Sequence, residues 1–309
     1  MNICVLGGTG FVGTALINRL SAAGHWVSVP TRHPERHQDL QVLPTVRLIR
    51  ADVHDPRDLD RLVEGMDAVI NLVGILNEQG RNTFQRAHVE LAVKVVDALK
   101  AGRVRRLLHM SSLGADPHGP SRYLRSKGEA EALVRAAAAQ VDFTVLRPSV
   151  IFGPGDSLTN RFAGLLHLSH GWLPLARAQA RFAPVYVGDV AAAFIHALRT
   201  RATIGQTYEL GGPQIMTLEQ LVRTIAAIAH LPCHLVRLPD SLARLQGVIL
   251  GCLPGKPFTL DNFRSLTRDS VCTEDGFERL GLPRHRLLEL LPTYLTPALS
   301  AAESPVIPH

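Results

Sequence analysis

The chain has 309 residues, of which 46% are hydrophobic and 19% are charged, and its formal net charge is +6. This composition excludes wholesale disorder and supplies enough apolar side chains for one large domain or two moderate ones. The arginines and lysines form no compact run, so we expect no nucleic-acid partner, whereas the net positive charge favours anionic ligands such as phosphorylated cofactors and acidic lipid surfaces.

The first half of the chain alternates between strand and helix patterns. Short apolar runs that end at glycines or turns predict strands at 2–6, 25–30, 46–50, 68–73, 106–111 and 143–146. Helical spacing of apolar residues predicts helices at 11–22, 57–64, 84–101 and 123–139. Because strands that alternate with helices form parallel sheets covered on both faces, we predict an α/β fold with a Rossmann-type doubly wound parallel sheet.

After residue 148 the alternation stops and helical patterns dominate. Helices are predicted at 159–168, 189–199 and 218–230, and a strand at 206–210 that returns to the main sheet. We therefore predict a dinucleotide-binding domain over 1–150, which residues 185–212 rejoin. A smaller, mostly helical C-terminal lobe over 151–184 and 213–300 follows, with a frayed tail at 301–309.

A glycine-rich turn, Gly7-Gly8-Thr9-Gly10-Phe11-Val12-Gly13, joins the first predicted strand to the first predicted helix. Gly7 permits a tight turn, Gly10 allows a pyrophosphate to approach the backbone, and Gly13 allows close packing of the helix on the sheet. The N–H groups at the start of the helix are then available to phosphates. This context predicts a dinucleotide site.

The residues after the second and third strands indicate which dinucleotide binds. An NAD site has a carboxylate here for the ribose 2′-hydroxyl, whereas this chain has Arg32, whose planar fork suits a 2′-phosphate. We therefore predict that NADP(H) is preferred, with NAD(H) as the alternative. Asp52 can accept a hydrogen bond from the adenine amino group, with Val53 beside the ring. Gly74, after the fourth strand, leaves room for the ribose and diphosphate.

Tyr123 and Lys127 are four residues apart on a predicted helix, so both side chains lie on one face. Ser111 and Ser112 end the strand that precedes this helix. A lysine charge is expected to lower the pKa of a nearby tyrosine, which then exchanges a proton with a carbonyl or carbinol oxygen that a serine hydroxyl steadies. The pattern predicts a hydride-transfer site.

Together with Arg147-Pro148, these segments resemble the short-chain dehydrogenase/reductase superfamily, in its extended or atypical branch. Within that branch the chain is most similar to the group that contains the NADPH-binding accessory subunit of respiratory complex I and its bacterial relatives. The segments that carry this similarity are 71–76, 109–116, 123–127, 147–156, 184–190 and 253–259.

The resemblance implies a catalytic set and a cofactor-binding set. The catalytic residues are Ser112, Tyr123 and Lys127. The cofactor-binding residues are Gly7, Thr9, Gly10, Phe11, Val12, Gly13, Arg32, Asp52, Val53, Leu72, Val73, Gly74, Ser111, Tyr123, Lys127, Pro148 and Ile151, of which Pro148 and Ile151 would flank the nicotinamide. Sugar-nucleotide epimerases usually continue to Val-Tyr-Gly after the catalytic serine, whereas this chain reads Leu113-Gly114-Ala115-Asp116, which counts against a sugar-nucleotide substrate.

Two functions are compatible with this resemblance. The first is an NADP(H)-binding protein related to the complex I accessory subunit, which acts as an oxidoreductase or a structural nucleotide holder in respiratory or quinone metabolism, with a respiratory-chain partner. The second is an NAD(P)-dependent epimerase, dehydratase or reductase that acts on a sugar nucleotide or another small carbonyl substrate. A structural cofactor should exchange slowly, whereas a catalytic cofactor should exchange and turn over.

Several patterns bear on location and surfaces. The cysteines form no C-x-x-C pair, no basic leader opens the chain, and no apolar run approaches the roughly 20 residues of a membrane span. We expect a cytoplasmic protein, with peripheral association at the inner face of a membrane as an option. No metal site is predicted, since His167 and His170 lack a third ligand. An apolar stripe is expected to pack on its own domain, with docking to a membrane or partner as the alternative; its members are Leu242, Leu245, Val248, Ile249 and Cys252.

Overall fold

The computed structural model describes residues 1–253 and 256–295. The strands are β1 (Asn2–Leu6), β2 (Trp26–Thr31), β3 (Val46–Arg50), β4 (Ala68–Asn71), β5 (Arg106–Met110), β6 (Asp142–Pro148), β7 (Ile151–Phe152), β8 (Trp172–Ala176), β9 (Arg181–Phe182), β10 (Val185–Tyr186), β11 (Thr207–Leu210), β12 (Met216–Thr217) and β13 (His234–Leu238). The α-helices are α1 (Phe11–Ala22), α2 (Gln38–Gln41), α3 (Pro56–Val63), α4 (Leu91–Ala101), α5 (Arg122–Ala136), α6 (Ser157–Leu168), α7 (Val187–Arg199), α8 (Leu218–Ile228), α9 (Asp240–Gly251), α10 (Leu260–Ser265), α11 (Gly276–Leu280) and α12 (Leu287–Leu290). The tail predicted at 301–309 lies outside the described residues.

A seven-stranded sheet has the order β11-β6-β5-β4-β1-β2-β3. Every neighbouring pair in it is parallel, including β11, the strand predicted to return to the sheet, which pairs with β6. The strand order reverses at β1, with β2 on one side and β4 on the other. This reversal is the switch point of a doubly wound sheet, and ligands of such folds bind outside the carboxyl ends of the strands there.

Burial explains why the central strands have continuous apolar sequences. The side chains of β1 from Ile3 to Leu6 are fully buried, and so are the apolar residues of β4. Side chains along a strand alternate between the two faces of the sheet. When helices cover both faces, both sets of side chains are buried, so apolar and polar residues do not alternate in the sequence. Helix α1 covers one face with Leu16 and Ile17, which are also fully buried.

The helix predicted at 84–101 is present, but its first part is wound as a π-helix. Residues Gln85–Glu90 form a π-type turn, and the regular helix α4 begins only at Leu91. Such wide turns inside helices are frequently found at functional sites. Here the turn contains His88, a buried residue of the candidate site.

Two compact units divide the chain. The first consists of Met1–Pro148, Gly188–Leu210 and Thr273–Leu282, and the second of Ser149–Val187, Gly211–Cys272 and the residues from Pro283 onward. The predicted boundaries at 150, 185 and 212 therefore move to 148, 188 and 210.

One segment changes its assignment. Residues Thr273–Leu282 belong to the first unit, whereas the sequence assigned them to the smaller lobe. The backbone N–H and the hydroxyl of Thr273 both donate to the Glu209 carboxylate, at 2.6 and 3.0 Å, and a Cβ on Gly276 would lie 3.0 Å from the backbone nitrogen of Glu209. These long-range contacts hold α11 against β11, and no local pattern predicts them.

The second unit combines helices with three two-stranded sheets. The strand pairs are β10-β7, β12-β9 and β13-β8. Helices α6 and α8 contribute apolar side chains such as Leu166 and Val222 to one core cluster of this unit. Within residues 1–253 and 256–295, no helix has the length and apolar character needed to cross a membrane.

Candidate functional site

The glycine-rich turn between β1 and α1 has no space for a side chain at Gly7 or at Gly13. Gly7 has a φ of +75°, and a Cβ on it would lie 2.9 Å from the backbone nitrogen of Val73. A Cβ on Gly13 would collide with the carbonyl oxygen of Gly8. The turn and the backbone of Leu72 and Val73, directly after β4, therefore lie against each other at the switch point of the sheet.

The N-terminus of α1 is the second feature of this turn. Gly10 precedes the helix with an extended backbone and is exposed, and no described side chain caps the first-turn N–H groups. Thr9 and Phe11 beside it are half-buried, and Val12 is buried. A helix N-terminus with available N–H groups and a positive dipole end attracts phosphate, and a backbone without Cβ atoms allows close approach. These residues fit the pyrophosphate of a dinucleotide.

Arg32 directly follows β2 and is exposed. Its carbonyl oxygen accepts a hydrogen bond from Arg50 Nη1 at 3.3 Å, while Arg50 also pairs with Glu35 at 2.9 Å. Arg50 thus holds the backbone of this loop. In the part of the chain that the structure describes, the Arg32 guanidinium has no carboxylate partner, which suits it to an anionic ligand.

Asp52 and Val53 lie beyond the end of β3. Asp52 Oδ1 accepts a hydrogen bond from the backbone nitrogen of His54 at 3.0 Å, and Asp52 Oδ2 lies 4.0 Å from Arg86. Val53 packs against the core of the first unit. Burial lowers the pKa of His54, and the charge of Arg86 lowers it further. Arg86 is a cation at this edge that the sequence patterns did not single out.

The two serines after β5 lie beside the end of β6. The backbone nitrogen of Ser111 donates to the carbonyl of Leu146 at 2.8 Å, and that of Leu113 donates to Pro148 at 2.9 Å. The hydroxyls of Ser111 and Ser112 are buried, and neither makes an aligned hydrogen bond within the described residues. Since buried polar atoms nearly always have partners, these hydroxyls suit the oxygen of a bound molecule.

The start of α5 positions the tyrosine and the lysine. Ser121 caps this helix, because its hydroxyl accepts a hydrogen bond from the backbone nitrogen of Leu124 at 3.1 Å. The cap sets the start of the helix just before Tyr123, and Lys127 follows one turn later. Both side chains therefore lie on one face of α5.

Tyr123 is packed by two rings. Its ring lies edge-on to Phe84 and to His88, with centroid distances of 5.9 and 5.7 Å. Burial raises the pKa of Tyr123, and the neighbouring Ser112 hydroxyl lowers it only in part. The expectation that Lys127 lowers this pKa is wrong for this structure, because burial and the Ser112 hydroxyl, and not Lys127, are the groups that shift it. Tyr123 is held as a protonated phenol.

Lys127 is a buried amine beside Gly74. Its Nζ donates a hydrogen bond to the carbonyl of Met110 at 3.2 Å. A Cβ on Gly74 would lie 3.1 Å from this Nζ, so the glycine gives the lysine its space. Burial lowers the pKa of Lys127 to about 8. The amine is therefore close to its titration point at neutral to mildly alkaline pH.

A second ionisable group, His88, lies in the same region. Its Nε2 accepts a hydrogen bond from the backbone nitrogen of Ile75 at 3.1 Å, so the proton is on Nδ1, which faces Ser126 Oγ at 2.8 Å. The Ser126 hydroxyl in turn donates to the carbonyl of Tyr123 at 2.9 Å. Burial, together with the charge of Lys127, lowers the pKa of His88 to about 2. His88 is thus a neutral link between the loop after β4 and α5.

His109 in β5 is a third buried base. Asn71 Oδ1 accepts a hydrogen bond from the backbone nitrogen of Val73 at 3.1 Å, which leaves Asn71 Nδ2 to donate to His109 Nδ1 at 3.4 Å. Burial lowers the pKa of His109 to about 3, with a further contribution from Lys127. This neutral pair connects the ends of β4 and β5.

A buried ion-pair network anchors α5 to the sheet behind this region. Glu131, one turn after Lys127, is buried and pairs with Arg135 at 2.7 Å and with Arg147 of β6 at 2.8 Å. Arg147 also lies 3.8 Å from Glu209 of β11. The network restricts α5, and with it Tyr123 and Lys127, relative to the strand ends.

Residues 3–211 match the model of the NAD dependent epimerase/dehydratase family. The chain belongs to this family. The resemblance inferred from the sequence motifs is thereby confirmed, and the fold class with it.

Relatives of this epimerase/dehydratase family member differ in their named roles. The chain is 32% identical to the mitochondrial NADH dehydrogenase [ubiquinone] 1 alpha subcomplex subunit 9 of Arabidopsis thaliana, over 92% of this chain and 74% of the relative. It is 31% identical to the ceramide reductase of Caulobacter vibrioides, over 77% of this chain and 74% of the relative. The structure of UDP-glucuronic acid 4-epimerase from Bacillus cereus with UDP-glucuronic acid and NAD has the same fold, with a TM-score of 0.74 and 18% identity over 96% of this chain and all of that one.

The structure brings many of the predicted residues of this family member together within its first unit. Gly7 lies against the backbone of Leu72 and Val73, and Gly74 lies against the side chain of Lys127. Ile151 is different, because it belongs to the second unit, where β7 pairs with β10.

Sequence reasoning missed the buried histidines of the first unit. His109 interrupts the apolar run of β5, and a polar residue inside a buried strand is a signal that could have identified it. His88 had no such signal. Its role depends on the π-type turn and on contacts with Ile75 and Ser126, which lie far away in the sequence.

Proposed function

We propose that this chain is an NADP(H)-dependent reductase that converts a small-molecule carbonyl group into a hydroxyl group. The observation that carries the proposal is the buried Ser112 hydroxyl, which lies close enough to Tyr123 to lower its pKa, while Lys127 follows Tyr123 by one turn of α5. A carbonyl oxygen at this point would accept hydrogen bonds from both hydroxyls.

Each of the three residues has a role in this reaction. When bound, a nicotinamide dinucleotide supplies the hydride. The Ser112 hydroxyl orients the substrate oxygen by a hydrogen bond. Because burial raises the pKa of Tyr123, its phenol donates a proton to that oxygen, which favours reduction over oxidation. Lys127, held against the carbonyl of Met110, would bind the nucleotide by hydrogen bonds from its amine.

The preference for NADP(H) is part of the proposal. Arg32 lies exposed where an NAD site has a carboxylate, and Arg86 adds a second cation beyond β3. A 2′-phosphate would pair with the Arg32 guanidinium, whereas a 2′-hydroxyl would leave Arg32 without a counter-charge; Arg86 already lies 4.0 Å from Asp52.

The test combines cofactor identification with turnover. Nucleotide released from the purified protein is identified by mass spectrometry, and NADPH oxidation is followed with a panel of ketones, including long-chain ketones. Tyr123→Phe should abolish turnover and leave NADPH binding almost intact. The matched control is Tyr208→Phe. The Tyr208 ring packs under Arg279 at 4.7 Å and not against Ser112, Tyr123 or Lys127, so this variant should remain active. NADPH oxidation by Tyr123→Phe at the wild-type rate would refute the proposal.

A structural nucleotide holder in a respiratory assembly is the second candidate. It is favoured by the similarity to the Arabidopsis thaliana subunit, which extends over 92% of this chain. In that case NADPH co-purifies and exchanges slowly, Tyr123→Phe is silent, and Lys127→Met lowers the melting temperature by releasing nucleotide. The exchange rate of bound nucleotide against labelled NADPH therefore distinguishes the two functions.

A further inference from the structure

Helix α9 in the second unit packs through its small residues. Ala243 is fully buried in a cluster with Ala176 and Phe263. A Cβ on Gly247 would lie 3.0 Å from the backbone nitrogen of Leu260, so the glycine lets α9 approach the start of α10 closely. The face of α9 that the protein covers is therefore made of alanine and glycine.

The opposite face of α9 carries large apolar side chains in water. The exposed fractions are 51% for Leu242, 53% for Leu245, 52% for Val248 and 55% for Ile249, and Leu253 just beyond the helix is 47% exposed. Leu242, Leu245 and Ile249 have the spacing of a single helical face. The expectation that this stripe packs on its own domain is therefore wrong. A helix that packs into a core buries its large apolar side chains, whereas α9 exposes them. This face of α9 is therefore suited to contact with another molecule.

The charge of the surrounding segment favours an anionic contact. Residues 237–269 contain five cations, Arg237, Arg244, Lys256, Arg264 and Arg268, and three acids, Asp240, Asp261 and Asp269. Asp240 pairs with Arg177 at 2.6 Å and Asp269 with Arg181 at 2.7 Å, while Arg237 pairs with Glu219 at 2.7 Å. A segment with leucines on one side and excess cations around it matches the interfacial region of an anionic bilayer, where acyl chains lie below phosphate groups.

We propose that α9 docks this protein on the surface of an anionic phospholipid bilayer. The helix has 12 residues and is about 18 Å long at 1.5 Å per residue, too short to span a bilayer, so it lies in the plane of the interface. Leu242, Leu245 and Ile249 enter the boundary between headgroups and acyl chains, and the flanking cations contact lipid phosphates. This proposal does not depend on the proposed reductase activity.

Vesicle flotation of the full chain tests it. Vesicles that contain phosphatidylglycerol should bind the wild-type protein, and vesicles of phosphatidylcholine alone should bind it more weakly. The double variant Leu245→Gln/Ile249→Gln leaves the net charge unchanged and should weaken binding by about tenfold or more. Val42→Gln is the matched control, because Val42 is equally apolar and 78% exposed but lies in the first unit, and it should bind like the wild type.

Several outcomes would overturn the proposal. One is a wild-type protein that does not float with phosphatidylglycerol vesicles, and another is a double variant that floats as well as the wild type. A third is concentration-dependent self-association without lipid that the double variant abolishes, since a second copy would then cover α9. Thermal unfolding checks that each variant is folded. If the double variant does not fold, the single variant Leu245→Gln replaces it in the flotation assay. The comparison of phosphatidylglycerol with phosphatidylcholine vesicles uses only the wild type and does not depend on either variant.

Discussion

At the scale of single residues, Arg32 is the position that should select the dinucleotide. Replacing Arg32 by Ala removes a charged hydrogen bond to a 2′-phosphate, so we expect NADPH affinity to fall by about 1–3 kcal/mol and NADH affinity to stay constant. Calorimetric titration with both cofactors measures the two changes. Arg36→Ala is the control, since Arg36 is an exposed arginine of the same loop. Equal losses for NADH and NADPH would show that Arg32 does not contact the 2′-phosphate.

Lys127 should give the nucleotide-free protein a stability that rises with alkaline pH. Its pKa is about 8 in the folded chain and about 10.4 in an unfolded one, so between these values the unfolded state binds more protons. The free energy of unfolding therefore increases from pH 8 to above pH 10, by roughly 3 kcal/mol in total, and below pH 8 the full cost of the buried charge is present.

Urea unfolding of the wild type and of Lys127→Met at several pH values measures this contribution. The difference between the two proteins should shrink as the pH rises, because the variant never carries the buried charge. Lys100→Met, at an exposed position on α4, should leave the pH dependence unchanged. A constant difference between wild type and Lys127→Met across this range would contradict the lowered pKa.

At the scale of elements, the contact between α1 and the glycine-rich turn leaves no room for a side chain at Gly13. Ala at position 13 would place its Cβ against the carbonyl of Gly8, so the helix must move away from the turn. We expect Gly13→Ala to lower the free energy of unfolding by about 1–3 kcal/mol and to weaken NADPH binding at least tenfold. Denaturant unfolding and cofactor titration measure both effects.

The control for this change is Gly164→Ala in α6. A Cβ on Gly164 would meet no atom within 4 Å, so the same substitution should be neutral or should stabilise the helix by up to about 1 kcal/mol. If Gly13→Ala behaved like Gly164→Ala, the close approach of α1 to the turn would not be required for binding.

At the scale of the whole molecule, the buried His88 and His109 should make the protein sensitive to acid. The pKa of His88 is about 2 and that of His109 about 3 in the folded state, against about 6.5 when unfolded. Above pH 6.5 both are neutral in either state. As the pH falls below 6.5 only the unfolded state takes up these protons, so stability is lost, with a slope that approaches about 2.7 kcal/mol per pH unit.

Unfolding experiments between pH 4 and 7 test this expectation. His88→Asn should remove about half of this slope. His118→Asn should keep it, because His118 is exposed in the loop before α5. Identical slopes in the wild type and His88→Asn would mean that His88 is protonated in the folded protein.

The sequence by itself determined the fold class and the nucleotide-binding turn. Apolar runs such as Ile3–Leu6 must be buried on both faces, and glycines at fixed offsets between a strand and a helix have few other uses. These are local signals, and they predict the main strands and helices to within a few residues. The spacing of Tyr123 and Lys127 is equally local, because four residues make one helix turn.

Only the tertiary structure decided the chemistry around these residues. Burial, which no local pattern measures, raises the pKa of Tyr123 where the sequence predicted that Lys127 would lower it. The contacts of His88 and the packing of α11 on β11 join residues that are distant in the chain. The apolar stripe of α9 could be read as core or as surface from its spacing, because helical periodicity identifies a face without saying what covers it. The exposure of Leu245 and Ile249 settles this, since the small residues on the other side of α9 make the contact with its own unit.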